Sequence, residues 1–327
     1  MPFFSIIIPV YNRYHLVRRA IDSVIGQTFR DHEIIVVDDG STDDTPRIED
    51  EYRGRIRYIR QGNRGVSAAR NTGIDASRSA RIAFLDSDDR WLPAKLERQA
   101  LYIAEHPGVT IHQTGETWIR NGRRVNPKDR HRKREGRIFP ESLELCLISP
   151  SAVVMDRSLF ETYGAFDEAL PACEDYDLWL RITPEHHVGL VAEDLVIKLG
   201  GHPDQLSRKH WGMDRFRICA ILKLLAERGD SLPPEYRALA EKTAIRKAGI
   251  LLDGAVKRNN AGFARVVHSV IEMLEVRRYD PVLFRELAAP LPGRAADPVA
   301  EKVVRSPEEN QAVPHDGVKE RFGRKFP

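Results

Sequence analysis

The sequence predicts an α/β protein, a parallel sheet covered on both faces and followed by an appended helical region. Three observations predict it. Strand-like and helix-like segments alternate three times within the first ninety residues, the order that builds right-handed crossovers. The strand segments are nearly unbroken apolar runs, as in strands buried on both sides. Polar clusters stand at the ends of those runs, where open α/β sheets bind their ligands.

Each element has its own signal. Residues 3–10 form an apolar first strand, and Val17, Ala20, Ile21 and Val24 recur at helical spacing behind it. A second buried strand spans 33–37 and ends in Asp38-Asp39-Gly40-Ser41, with Thr42 and Asp43 expected to cap a helix through Tyr52. A third strand, 56–59, leads through Gln61-Gly62-Asn63-Arg64-Gly65 to a helix over 66–76. The run 81–85 is a fourth strand and stops in Asp86-Ser87-Asp88-Asp89. A helix over 93–105, with proline in its first turn, precedes a strand over 109–119. Residues 151–198 return to mixed strand and helix, and helix-forming segments dominate 214–287. From 290 onward, prolines and charges with few large apolar residues predict a disordered tail.

Composition excludes several classes. A chain of 327 residues can bury a large core. No run approaches the eighteen or so apolar residues of a membrane span, and the N-terminus lacks a basic region leading into an apolar one, so a cytoplasmic location is expected. Cys146, Cys173 and Cys219 are few, odd in number and far apart, which supports neither disulfides nor a zinc cluster. A net charge of +3 does not by itself imply nucleic acid. Its distribution says more: residues 120–137 carry nine Lys or Arg against Asp129 and Glu135, a local surplus of seven positive charges. Such a block reads as a mobile solvated loop, or as a flap meeting an anionic acceptor or diphosphate.

The acidic end of the fourth strand carries the chemistry. Clustered carboxylates at the mouth of a core strand repel unless a cation neutralises them. Oxygen ligands in Asp-x-Asp spacing suit a hard dication, Mg²⁺ or Mn²⁺, bridging to phosphates; a solvated acidic turn is the alternative. Four further patterns keep order with it: Pro9-Val10-Tyr11-Asn12, Asp38-Asp39-Gly40-Ser41, Ala69-Arg70-Asn71-Thr72-Gly73 and Glu174-Asp175-Tyr176-Asp177-Leu178-Trp179.

Together these five motifs closely resemble family 2 glycosyltransferases of the GT-A fold, over about residues 3–210. The resemblance implies a GT-A domain over 1–210, with 211–290 as an appended helical region and 291–327 as the tail. It implies a metal-dependent, inverting enzyme moving a sugar from a nucleotide-diphosphate sugar, a UDP-sugar being favoured, to a hydroxyl of a saccharide or lipid-linked saccharide, as in cell-surface polysaccharide synthesis. Pro9, Tyr11, Asn12 and Asp39 are then expected around the nucleotide, with helix capping the alternative for Asp39 and core packing for Tyr11. Arg70 and Asn71 either reach the nucleotide or fix neighbouring loops. Asp86 meets the ribose or the metal shell, Asp88 binds the metal, and Asp89 caps the following turn. Asp175 is the general base, and a helix N-terminus there favours its anion. His202, 27 residues further on, is a candidate metal ligand, with Arg208 and Lys209 as alternatives that offset phosphate charge. Trp179 and Trp211 are read as core residues before sugar platforms. The C-terminal helices are candidates for a homodimer contact or a peripheral contact with the inner face of the membrane.

Two rival functions remain at this stage. A sugar nucleotidyltransferase carries a glycine-rich basic loop after its first strand to hold a triphosphate, and Pro9-Val10-Tyr11-Asn12-Arg13 holds no glycine. A non-catalytic protein binding anions through 120–137 would respond to salt and ignore Mn²⁺.

Overall fold

The structure, a computed structural model, describes residues 1–126, 128–201 and 210–289. All of these fall within one compact unit, Met1–Leu291. The expected tail lies outside the described residues, and so do most of the residues flanking the expected boundary at 210.

The first half is as its apolar runs predict. Strands β1 (Phe4–Val10), β2 (His32–Asp38), β3 (Arg57–Arg60) and β4 (Arg81–Phe84) pair in parallel in the order β3-β2-β1-β4. Between them run α1 (Tyr14–Ile25), a short α2 (Ile48–Glu51) and α3 (Val66–Ala76). Alternate residues of β1 serve two cores: Ile6 and Ile8 pack with Val17, Ile21 and Val24 of α1, whereas Ile7 packs with Ile74 of α3. A Cβ on Gly73 would stand 2.4 Å from Ile7 Cγ2, so only glycine lets α3 lie this close to β1. The helix expected between β2 and β3 is a 3₁₀ turn, Thr45–Arg47, followed by the four residues of α2. Asp43 does act near its start, accepting Thr45 N at 2.9 Å.

Beyond β4 the sheet departs from the all-parallel expectation. It continues through β5 (Arg90–Trp91), β6 (Ile111–Arg120), β7 (Arg123–Val125), β8 (Val153–Asp156) and β9 (Val188–Gly200), completing the order β3-β2-β1-β4-β8-β6-β9-β5 with β7 on β6. β8 is antiparallel to both β4 and β6, β6 and β9 are parallel, and β5 is antiparallel to β9. The chain leaves β4 through an acidic turn and β5 before reaching α4 (Lys95–Glu105), so the simple strand–helix–strand crossover ends there. The basic segment is also more ordered than its charge suggests. Asn121 and Gly122, both at positive φ (48° and 72°), make the tight turn between β6 and β7.

Three more helices complete this part: α5 (Phe139–Glu144), α6 (Arg157–Tyr163) and α7 (Glu174–Ile182). Helix α7 is fixed on two sides: Leu178, Trp179 and Ile182 face the sheet core, and Tyr176 and Leu180 join the core of the C-terminal helices. Those helices are α8 (Met213–Arg228), α9 (Pro234–Lys257), α10 (Ala261–Glu275) and α11 (Pro281–Ala288). Trp179 donates to Ile148 O at 3.0 Å and is 1% exposed, and Trp211 packs against Phe263, so both are core residues as expected. Among the described residues no helix is long and apolar enough to cross a membrane.

One core position contradicts simple patterning. Lys95 is wholly buried, its Nζ donating to Gln99 Oε1 at 2.6 Å and lying 4.0 Å from the centre of the Trp91 ring, with no carboxylate paired to it among the described residues. Burial holds its pKa well below the ordinary lysine value. The unfolded chain therefore binds a proton that the native state does not, over the interval from that depressed pKa up to about 10.4. Across that interval stability rises with pH, by up to about 1.4 kcal/mol per unit. Urea unfolding between pH 7 and pH 9.5 should show this rise, and Lys95→Met should be more stable at pH 7 and lose that part of the slope.

Candidate active site

In the order β3-β2-β1-β4, the connections run outward in opposite directions from β1 and β4, which makes their carboxyl ends the switch point where such sheets bind ligands. Residues of both ends meet there. Arg13 Nη1, just after β1, lies 2.9 Å from Asp88 Oδ2, just after β4. Asn12, in the left-handed region at φ 50°, accepts Thr42 N at 2.7 Å and Asp43 N at 3.3 Å on its Oδ1, and donates its own N–H to Ser41 Oγ at 2.9 Å. It locks the loop after β1 to the loop after β2. Pro9 is buried within β1 opposite Val37, whereas Tyr11 is 42% exposed and so is not the core residue it could have been.

Asp39 does not cap the helix that follows it. Its carboxylate reaches the loop before α3, accepting Gln61 Nε2 at 2.7 Å and Arg64 N at 2.9 Å on Oδ1 and Gly65 N at 2.7 Å on Oδ2. Three bonds fill three of roughly four acceptor directions of a carboxylate, and one direction on Oδ2 is left for a ligand donor.

Arg70 joins the halves of the site. The side chain is 4% exposed; Nη2 donates to Asp86 Oδ1 at 2.8 Å and Nη1 to Glu174 Oε1 at 2.7 Å. The guanidinium also lies 5.1 Å from the centre of the Phe166 ring, a cation–π contact. The neighbouring Asn71 holds Phe166 by both backbone groups, accepting its N–H at 3.0 Å and donating to its carbonyl at 2.9 Å. Arg70 thus fixes carboxylates of β4 and α7, and Asn71 fixes a loop.

The three aspartates after β4 differ sharply. Burial works against the Asp86 anion, yet Arg70, Lys198 and Arg13 hold its pKa below the usual carboxylate range. Asp88 goes the other way: burial and then the charge of Asp86 push it up, against Arg13 and Lys198. Asp89, expected to cap a turn, is buried and structural. It accepts Ser151 Oγ at 2.6 Å, Leu199 N at 3.1 Å and Lys198 Nζ at 3.1 Å, and burial raises its pKa to about 7. Lys198 also donates to Ser149 Oγ at 2.9 Å and stands 3.9 Å from Asp86 Oδ2. Register shifts flanking Gly115 set β9 against β6 so that Lys198 lies opposite Trp118.

The donor set fits a hard dication. Asp88 has one oxygen on Arg13 and no hydrogen bond on the other among the described residues, and its anion is under-compensated. Among the described residues no three His, Cys, Asp or Glu side chains gather into a metal cage.

Asp175 lies in the first turn of α7, half-buried, next to the Glu174 that Arg70 holds. Its Oδ1 accepts Tyr176 N at 2.7 Å and its Oδ2 accepts the Cys146 thiol at 3.4 Å. Burial, then the charge of Asp175, push the Glu174 carboxyl up against the pull of Arg70. Cys146, read from sequence as packing, is here a neighbour of the proposed base.

The structure therefore gathers Asn12, Arg70, Asp86 and Asp88 around the β1–β4 switch point, and Arg70 ties in the helix that carries Asp175. His202, Arg208 and Lys209 lie outside the described residues. Sequence reasoning missed Arg13, Glu174, Cys146 and Lys198. Arg13 directly follows the first motif and Glu174 opens the last, where its pairing with Arg70 was not foreseen. Lys198 gives no local signal, because its partners are 109 and 112 residues away in sequence.

Comparison with known proteins agrees with this geometry. The family model for glycosyl transferase family 2 matches residues 5–164. An uncharacterized glycosyltransferase of Rickettsia felis is 34% identical over 64% of the chain, which spans 36% of that relative's length. UDP-Glc:alpha-D-GlcNAc-diphosphoundecaprenol beta-1,3-glucosyltransferase WfgD of Escherichia coli is 31% identical over 57% of the chain and 72% of its own length. Among solved structures, S. aureus TarS residues 1–349 in complex with UDP-GlcNAc superposes with a TM-score of 0.56 at 18% identity, covering 87% of this chain and 90% of that one. The fold is GT-A.

Removing Arg70 would leave Glu174 an uncompensated acid in a low-dielectric setting and Asp86 with only Lys198 and Arg13 to offset it. Arg70→Ala should lose about 3–5 kcal/mol of stability, measured by urea unfolding, and adding Glu174→Gln should recover part of that loss.

Proposed function

The chain belongs to glycosyl transferase family 2, and on that premise we propose that it is a metal-dependent, inverting transferase. The donor is a nucleotide-diphosphate sugar, a UDP-sugar being favoured, and the acceptor a hydroxyl of a saccharide carried on a lipid diphosphate. The observation that carries the reading is the Asp86–Arg70–Glu174 bridge, which sets the carboxylates of the donor corner against the helix turn bearing Asp175. Tyr11 and the open direction of Asp39 face the nucleotide in this reading, and Asp86 and Asp88 mark the diphosphate end. A dication held by Asp88 would supply charge stabilisation to the departing diphosphate. Asp175 takes the proton of the acceptor hydroxyl as its oxygen bonds to the anomeric carbon; the bond from that carbon to the diphosphate oxygen breaks on the opposite face, which inverts the configuration. Arg70 and Lys198 stay protonated throughout. Burial disfavours each cation, but Asp86 and Glu174 around Arg70, and Asp89, Glu116 and Asp86 around Lys198, raise both pKa values.

A screen of UDP-, GDP- and dTDP-sugars with and without Mn²⁺, read by calorimetry and by slow donor hydrolysis, tests class and donor together. Asp88→Ala should abolish the Mn²⁺-dependent part of nucleotide binding; unchanged binding would remove the metal assignment. Asp175→Asn should keep donor affinity while lowering turnover by about 10²–10⁴-fold, and near-normal transfer in that variant would assign the base elsewhere.

A further inference from the structure

We propose that the basic residues Arg120, Lys128 and Arg130, together with Arg217, form a diphosphate-binding surface that holds the anionic end of the acceptor beside Asp175; the assignment to an acceptor rests on the transferase reading above. Sheet register gives the first reason. Residues directly opposite across a ladder share a face, as do residues two apart along a strand. Trp118 is opposite Lys198, and Arg120 is opposite Arg123. Glu116, Trp118, Arg120 and Arg123 therefore extend outward on the face that Lys198 uses to reach Asp86 and Asp89. Arg124 falls on the other face and pairs there with Asp194 at 3.6 Å.

After the hairpin the chain crosses back over that face. Lys133 Nζ lies 3.2 Å from both Glu116 Oε2 and Leu147 O, and the His131 ring centre is 5.7 Å from that of Trp118. His131 accepts a hydrogen bond from Arg130 Nε at 3.2 Å, so the imidazole pins a guanidinium in place. Burial lowers the His131 pKa, and then four cations add to it: Arg130, Arg217, Lys128 and Arg120. These converge on one imidazole from three elements, the strand β6, the turn over Asp129–His131 and the helix α8. Arg120, Lys128 and Arg130 are exposed and have no ion pair among the described residues. Arg217, held by Asp214 at 2.9 Å, stands near the start of α8, whose Met213 carbonyl lies 3.9 Å from the Sγ of Cys173, the residue before Glu174 and Asp175. Arg217 thus links the cation cluster to the helix start that carries the proposed base. A compact cluster of guanidiniums matches a small, highly charged diphosphate, which accepts bidentate bonds from each.

The test titrates inorganic pyrophosphate into the full chain in metal-free, low-salt buffer. Saturable binding that weakens with salt is expected, at least tenfold weaker in Arg120→Ala/Arg130→Ala and retained in Asp88→Ala. Both arginines are exposed, and circular dichroism checks that the double variant folds. Absence of binding, equal binding in the double variant, or loss in Asp88→Ala would overturn the proposal. Vesicles of phosphatidylglycerol separate the two sources of phosphate. Any vesicle binding should be displaced by pyrophosphate; binding that pyrophosphate leaves intact would assign the surface to a membrane and sink the diphosphate subsite. Mn²⁺-dependent UDP binding is measured in parallel. It should persist in the double variant, and its absence from the parent chain would fault the transferase reading while leaving the pyrophosphate result to stand by itself.

Discussion

The arrangement depends on one guanidinium. Arg70 is buried where its polar partners among the described residues are carboxylates from two distant parts of the chain, Asp86 after β4 and Glu174 at the start of α7. Buried charges of this kind are costly to assemble and more costly to break, so they report geometry more than stability. Neither carboxylate can move away without leaving Arg70 exposed to a low dielectric, and α3 cannot lift away from the sheet because Gly73 fits it against Ile7. The distance between the donor corner and the proposed base is set by this frame before any ligand arrives, which is the pre-organisation that a displacement reaction needs.

A second tie holds the far side of the cleft. Lys198 and Asp89 bond to each other and to Ser149, Ser151 and the backbone of Leu199, so β9, the acidic turn and the segment before β8 form one network. Asp89 spends its charge inside this network, leaving Asp86 and Asp88 to define the corner. Three adjacent aspartates, alike in sequence, therefore hold three different jobs because their surroundings differ.

Much of the nucleotide-side half was legible in sequence. Helix α3 spans 66–76 as its turn signals require, and β1 and β4 follow from apolar runs with polar ends. What failed did so for identifiable reasons. The helix expected up to Tyr52 forms over residues 45–51 but opens as a 3₁₀ turn; Asp43, besides accepting Thr45 N, also accepts the backbone of Tyr14 at 3.3 Å, a tertiary bond that propensity cannot foresee. Charge density over 120–137 suggested a mobile solvated loop or a flap, and all its cations but Lys133 are exposed; what it did not show is that Lys133 pairs with Glu116 and that the Asn121-Gly122 turn closes a hairpin. The mixed second half of the sheet was illegible, since strand direction depends on pairings more than thirty residues apart. Lys95 was hidden for the opposite reason: it sits in an amphipathic helix where patterning places lysine outside.

The charges of the site are distributed with a polarity that matches the two substrates of a transferase. On the proposed donor side, Asp86, Asp88 and Asp89 meet Arg13, Arg70 and Lys198, a corner close to neutral by itself, which in the transferase reading would take a dication together with the negative diphosphate that the dication carries. On the proposed acceptor side the balance reverses, with Arg120, Lys128, Arg130 and Arg217 around a histidine whose pKa is lowered by burial and then by these cations. An anion arriving without a metal has to be compensated by protein cations, and Arg120, Lys128 and Arg130 are exposed with no ion pair among the described residues. A metal-bearing anion and a bare one would then be sorted to opposite ends of the cleft by electrostatics alone, with Asp175 between the hydroxyl to be activated and the sugar to be transferred.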